Sequence, residues 1–159
     1  MNGKVLVAYF SASGITEKQA KALAGALEAP LYEIKPETPY TPEDLDWRNA
    51  QSRSSIEMKN PAYRPALADK DAKIEEYDTI LLGFPIWWYV APTIINTFLE
   101  SYDFSGKRIV LFVTSGSSGF GKTVEALRAS LPDSAVLEEG IRLSSRAGTD
   151  KIISWAKTL

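Results

Sequence analysis

The chain has 159 residues, 45% of them hydrophobic and 24% charged, with a formal net charge of −2. It has no cysteine and no histidine, which excludes disulfides, thiol catalysis, thiolate-bound zinc, cysteine-bound iron–sulfur clusters and histidine-based triads. A slightly acidic balance argues against nucleic acid as a partner, so demanding chemistry must come from a bound cofactor or from carboxylates.

Residues 1–159 read as one domain, long enough for a single well-buried core. No apolar run approaches the roughly 20 residues that cross a bilayer, and the protein is expected to be cytoplasmic. Lys4 to Phe10 is apolar enough for a buried strand and runs into Ser11-Ala12-Ser13-Gly14-Ile15-Thr16. A helix opens there, with Ala20, Leu23, Ala24 and Leu27 at helical spacing, and Pro30 stops it. Leu31 to Ile34 forms a second short strand. The stretch from Pro36 to Glu76 holds five of the nine prolines and many charges. It reads as a long irregular excursion with one short helix near Pro42 to Ala50.

Thr79 to Phe84 is continuously apolar, as in a strand buried on both faces of a parallel sheet. Pro85 ends it, because proline cannot donate to a ladder. Pro92 suits a first helical position, and Ile94, Ile95, Phe98, Leu99 and Tyr102 make one helical face. Arg108 to Thr114 is the fourth strand, followed by a helix marked by Val124, Leu127 and Leu131. A weaker strand lies within Ala135 to Leu143. Ile152, Ile153, Ala156 and Leu159 form the face of a last helix. This alternation predicts a doubly wound five-stranded parallel α/β sheet.

Three strand-end loops carry the chemistry. Ser11 to Thr16 places hydroxyls and Gly14 at a helix N-terminus, where free N–H groups and the dipole attract an anion. The alternative is that Ser13 simply caps the helix. Pro85-Ile86-Trp87-Trp88-Tyr89 puts three aromatics at the carboxyl end of the third strand, where open α/β sheets bind ligands. Consecutive aromatics cannot all enter one core, so at least one is exposed, which favours a stacked planar ligand over packing. Trp47 and Trp155 lack that setting and are expected to pack.

The third loop runs Thr114-Ser115-Gly116-Ser117-Ser118-Gly119. Its continuation to Gly121-Lys122-Thr123 matches the phosphate-binding pattern GxxxxGK[ST] between a strand and a helix. Only 36 residues follow Thr123, and none forms an apolar strand ending in Asp for magnesium. A nucleotide hydrolase is therefore the lesser reading. Small residues here could equally offer N–H groups to the polar edge of a flat ring.

Together the three loops resemble flavodoxin. Ser-x-Ser-Gly-x-Thr is similar to its phosphate loop, and Gly-Phe-Pro-Ile-Trp-Trp and Thr-Ser-Gly-Ser-Ser-Gly look like its two ring-holding loops. The likeness extends to Ser-Arg-Ser-Ser in the excursion and over nearly the whole chain. The resemblance implies strand order 2-1-3-4-5 and an FMN cofactor. Ser11, Ser13, Gly14, Ile15 and Thr16 would hold its phosphate. Pro85, Ile86, Trp87, Trp88 and Tyr89 would lie along the ring, with Trp87 or Trp88 stacked on it. Thr114, Ser115, Gly116, Ser117, Ser118 and Gly119 would meet the pyrimidine edge. No metal ligands and no catalytic side chain are implied.

The function so implied is a monomeric electron carrier between redox partner proteins. The alternative is an NAD(P)H-dependent FMN reductase of quinones or similar acceptors. Two departures bear on that choice: shuttle flavodoxins are usually strongly acidic, and Tyr89 stands where related sequences commonly have glycine.

Overall fold

Strands that are apolar along their whole length must be covered on both faces, which requires helices on each side of a parallel sheet. The computed structural model describes residues 3–159 and has that architecture. Strands β1 (Val5–Tyr9), β2 (Leu31–Glu33), β3 (Thr79–Pro85), β4 (Arg108–Ser115) and β5 (Val136–Ser144) form one sheet. All pairings are parallel, in the order β2-β1-β3-β4-β5. Helices α1 (Ile15–Leu27), α2 (Arg53–Met58), α3 (Thr93–Glu100), α4 (Thr123–Arg128) and α5 (Asp150–Ala156) complete the fold. No helix among the described residues is long and apolar enough to cross a membrane.

Alternation along the strands divides the core in two. Ile109, Leu111 and Val113 of β4 face α3 and Leu127 of α4, whereas Val110 and Phe112 face α1 and α5. Gly83 of β3 pairs with Phe112 of β4. A Cβ at Gly83 would stand 2.1 Å from the Phe112 ring, so the missing side chain is the space the ring fills. The register of β5 slips between Leu111 and Phe112, leaving Gly140 as an extra residue opposite β4. A side chain at Gly140 would meet the Leu111 carbonyl oxygen at 2.4 Å.

The short helix expected near residues 42–50 is instead a series of turns, and the helix lies later, at Arg53–Met58. Local polar side chains explain the shift. Thr41 and Asp44 exchange hydrogen bonds with each other's backbone N–H groups, and Asp46 accepts from the Arg48 N–H. Such bonds compete with helix formation. Ser52 then caps α2 by accepting from the Ser55 N–H.

The excursion is tightly anchored. The Tyr40 hydroxyl donates to the buried Glu57 carboxylate, and Arg53 Nε donates to the same group at 2.8 Å. The Arg53 guanidinium lies 3.8 Å from the centre of the Tyr40 ring. Burial, then the Glu57 hydrogen bond, pushes the Tyr40 phenol well above its ordinary pKa, so it stays a donor. Tyr40 in turn meets Trp87 and Phe10 edge-on, at 5.5 and 5.8 Å between ring centres. The excursion is thereby fixed against the carboxyl end of the sheet.

Candidate functional site

Strand order reverses direction between β1 and β3, the position beside which open α/β sheets bind ligands at the carboxyl ends of their strands. The first loop enters α1 through Gly14, whose φ of +91° is open to glycine at little cost. No side chain caps α1, so Ser13 does not act as the simple cap considered above. Ser11 Oγ accepts the Gly14 N–H at 3.1 Å. The N–H groups of Ile15, Thr16 and Glu17 have no acceptor among the described residues. Ser13, Gly14 and Ile15 are exposed, whereas Thr16 is buried and its hydroxyl lies 2.8 Å from that of Thr114. Thr16 and Thr114 thus tie the first loop to the third, with their hydroxyls already committed.

The aromatic loop is a tight reversal. Trp87 and Val90 exchange backbone hydrogen bonds of 2.9 and 3.1 Å. The two residues between them, Trp88 and Tyr89, have φ of +50° and +66°. Turns of this hand need positive φ at both central positions, at a cost of about 1–2 kcal/mol for each side-chain-bearing residue. Tyr89 therefore adopts the conformation that glycine would take cheaply. Trp87 packs inward on Phe10 and Tyr40, while Trp88 and Tyr89 are 44% and 68% exposed. The expectation of at least one exposed aromatic is met by two.

Behind this turn stands the stretch that imitates a P-loop. The Lys122 N–H donates to the Tyr89 carbonyl at 3.1 Å. Gly121, at φ +54°, passes so close that a Cβ there would lie 2.3 Å from the same oxygen. The Gly-Lys pair is thus accounted for as a buttress of the aromatic turn, and the Lys122 side chain is exposed.

In the third loop the Ser115 hydroxyl donates to the Ser118 carbonyl. Arg142 of β5 clamps both residues. Its Nε donates to Ser115 Oγ at 2.9 Å and to the Ser118 carbonyl at 3.1 Å, and Nη2 reaches the Ser115 carbonyl at 3.3 Å. Held this way, the loop leaves the N–H groups of Ser117, Ser118 and Gly119 without an acceptor among the described residues. They are donors available to a ligand.

A cavity of about 480 Å³ lies between the aromatic turn and the third loop, within the range of small-molecule sites. Ile86, Trp87, Trp88 and Tyr89 form one wall and Gly116, Ser117 and Ser118 another. The excursion closes a third side with Leu45, Trp47 and Ser54. Pro85, Thr114, Ser115 and Gly119 lie outside that lining, as does the first loop, which the Thr16–Thr114 contact ties to the start of the third loop.

Three contributions escape a reading of the sequence. Trp47, expected to pack, is 67% exposed on the cavity rim. Its immediate neighbours Asp46, Arg48 and Asn49 are polar, which is the signal that was available. Trp155, by contrast, packs against the second core as expected. Ser54 is buried, lines the cavity, and its hydroxyl has no hydrogen-bond partner. Arg142 had no local motif to mark it.

A flavodoxin family model matches residues 4–159. The chain belongs to the flavodoxin family. A crystal structure of a candidate flavoprotein from Bacteroides uniformis is 46% identical, covers 99% of each chain and superposes with a TM-score of 0.90. A flavoprotein from Lactobacillus acidophilus, solved in complex with FMN, is 23% identical over 89% of this chain and 93% of its own, with a TM-score of 0.68. That likeness is one of fold. An uncharacterized NAD(P)H oxidoreductase of Escherichia coli is 27% identical over 90 residues, which are 56% of this chain and 41% of that relative. The match therefore spans well under half of the relative's length. What this flavodoxin-family chain offers is a cleft with an aromatic face and a row of N–H donors, and an open helix N-terminus on the loop tied to it.

Proposed function

We propose that the protein binds FMN and works in the cytoplasm, as a monomer, as a reductase that carries two electrons from a reduced nicotinamide to a small acceptor. The observation that carries this reading is the third wall of the cavity. Leu45, Trp47 and Ser54 face the aromatic turn and the 116–118 loop, and enclose a space suited to small flat molecules. The family supports FMN, and so does the chemistry of the donor set. A flat ring with polar atoms on one edge suits Trp88, the free N–H groups of residues 117–119 and the unpartnered Ser54 hydroxyl. A phosphate on its tail suits the open first turn of α1.

Bound FMN would supply hydride acceptance from the nicotinamide and delivery to the acceptor. The nicotinamide gives up a hydride, and a quinone-type acceptor takes up two electrons and two protons, the second proton from water. The protein's part is to position and to exclude. Ser13 and the N–H groups of Ile15 and Thr16 anchor the phosphate. Arg142 fixes the loop that meets the ring edge. Trp87, packed edge-on against both Phe10 and Tyr40, holds the turn that carries Trp88.

A second reading, an electron carrier for partner proteins, is favoured by Trp88 and Tyr89 standing exposed at the rim. One experiment separates the two. Holoprotein with NADPH and 1,4-naphthoquinone, and no other protein, is expected to sustain many turnovers. A single stoichiometric reduction and then no turnover would leave the carrier reading. Binding of FMN is tested beforehand by titrating apoprotein with FMN and with riboflavin. Equal affinity for the two would remove the phosphate assignment of residues 11–16.

A further inference from the structure

A second cavity, about 290 Å³, adjoins the cofactor cleft and shares Trp47 and Trp88 with it. The two tryptophans therefore stand between the spaces, and a ligand lying across them reaches both. The outer cavity differs in charge from the inner one. Arg48 and Lys59 line it, and no carboxylate does. Neither cation takes part in an ion pair among the described residues.

The acidic residues close to them in sequence make other contacts. The Asp46 carboxylate turns onto the Arg48 backbone N–H at 3.1 Å. Asp44 and Glu57 are taken by Arg53. Lys59 Nζ reaches only the Ala50 carbonyl, at 3.4 Å, and the Arg48 guanidinium rests over the Trp47 ring, 5.2 Å from its centre. In a chain of net charge −2, two cations with no ion pair among the described residues line a concave place bounded by two exposed tryptophans. Such a site attracts a ligand that carries both a flat base and an anion.

We infer that this cavity binds a phosphate of the nicotinamide dinucleotide that reduces the flavin, with Arg48 and Lys59 as its ligands. The inference rests on the reductase reading and names the part of the protein that recognises the electron donor. The nicotinamide end enters the inner cleft along Trp88, while the dinucleotide passes between Trp47 and Trp88 into the outer cavity. Two anions of the donor could be the one held, its pyrophosphate or the additional 2′-phosphate of NADPH. Both would be read by the same charge-assisted hydrogen bonds.

The test uses FMN-loaded protein in three forms: unmodified, Arg48→Gln with Lys59→Gln, and Lys157→Gln as a control for lost surface charge. Steady turnover is measured with NADPH and with NADH, and equilibrium binding of NADP+ by dialysis. The double variant is expected to raise KM for NADPH by about tenfold or more, the usual loss for hydrogen bonds to charged groups. NADP+ affinity should fall in parallel, while FMN affinity and the KM for 1,4-naphthoquinone stay as in the unmodified protein. The rise in KM with added salt should also flatten. Equal losses for NADH and NADPH would assign the pyrophosphate, and a loss confined to NADPH the 2′-phosphate. Unchanged KM and unchanged NADP+ affinity in the double variant would overturn the inference while leaving the reductase reading in place. Unmodified protein that does not oxidise NADPH would sink the reductase reading, and NADP+ binding would still decide whether the site exists.

Discussion

Replacing Gly121 by alanine is the most direct test of how the aromatic turn is held. The new Cβ would stand 2.3 Å from the Tyr89 carbonyl oxygen and 3.0 Å from the Tyr89 Cβ. The residue would also have to keep φ near +54°. That conformation costs an alanine about 1–2 kcal/mol, and relieving the contact, which is with backbone, adds about 1–3 kcal/mol. A loss of roughly 2–5 kcal/mol corresponds to a fall in Tm of about 4–20 °C in a chain of this size. Relief of the clash must push the Tyr89 carbonyl away and break its bond from the Lys122 N–H. FMN affinity should therefore drop with stability, by about tenfold. Lys122→Ala, by contrast, changes an exposed side chain and leaves the backbone bond intact, so it should alter either quantity by no more than about 0.5 kcal/mol. Thermal melts of the apoprotein and fluorescence titrations with FMN measure both. An unperturbed Gly121→Ala protein, or an ATP-dependent rise in Tm that Lys122→Ala abolishes, would refute the buttress and restore the P-loop reading.

Arg142→Met removes three hydrogen bonds to Ser115 and Ser118. It should lower FMN affinity about tenfold or more, with amide exchange in the apoprotein rising selectively over residues 115–119; protection equal to the unmodified protein would exclude Arg142 as the clamp. Ser54→Ala should leave the apoprotein's unfolding free energy within about 0.5 kcal/mol of the original, because its hydroxyl has no protein partner to lose; a marked fall in Tm would mean that the hydroxyl is satisfied internally. Glu100 is held below its ordinary pKa of 4.5, first by hydrogen bonds from Arg64. A carboxyl depressed on folding adds stability above its unfolded pKa and loses it as pH falls through the folded one. The urea midpoint should thus decline below about pH 4.5, and less steeply in Glu100→Gln; identical slopes would dismiss the Arg64–Glu100 pair as a stabilising contact.

Most of the sheet was legible because strands buried on both faces read as unbroken apolar runs, as at Thr79–Phe84 and Arg108–Thr114. The strand order came with the family resemblance, which periodicity alone does not supply. The excursion was harder. Its helix was misplaced because Thr41, Asp44 and Asp46 commit their side chains to nearby backbone, a competition that helical spacing does not register. The loops of the site were visible as small or aromatic residues between a strand and a helix. Ser54 and Arg142 were not, since each matters through a space or a contact formed by distant parts of the chain. An orphaned hydroxyl has no sequence signature at all.

The extra residue at Gly140 has a consequence for which way β5 presents its side chains. Counting by twos from Leu137, which packs against the core under α3 and α4, strict alternation would put Ile141 on that side and Arg142 on the other. The slip exchanges them. Ile141 pairs with Phe112 and joins the core under α1 and α5, while Arg142 pairs with Val113 on the opposite side. One additional backbone unit thus acts like a frameshift in three dimensions. It turns a guanidinium away from an apolar layer and aims it at a loop that needs a clamp. Insertions or deletions in β5 before this point should be felt at the cofactor cleft, several residues and one strand away.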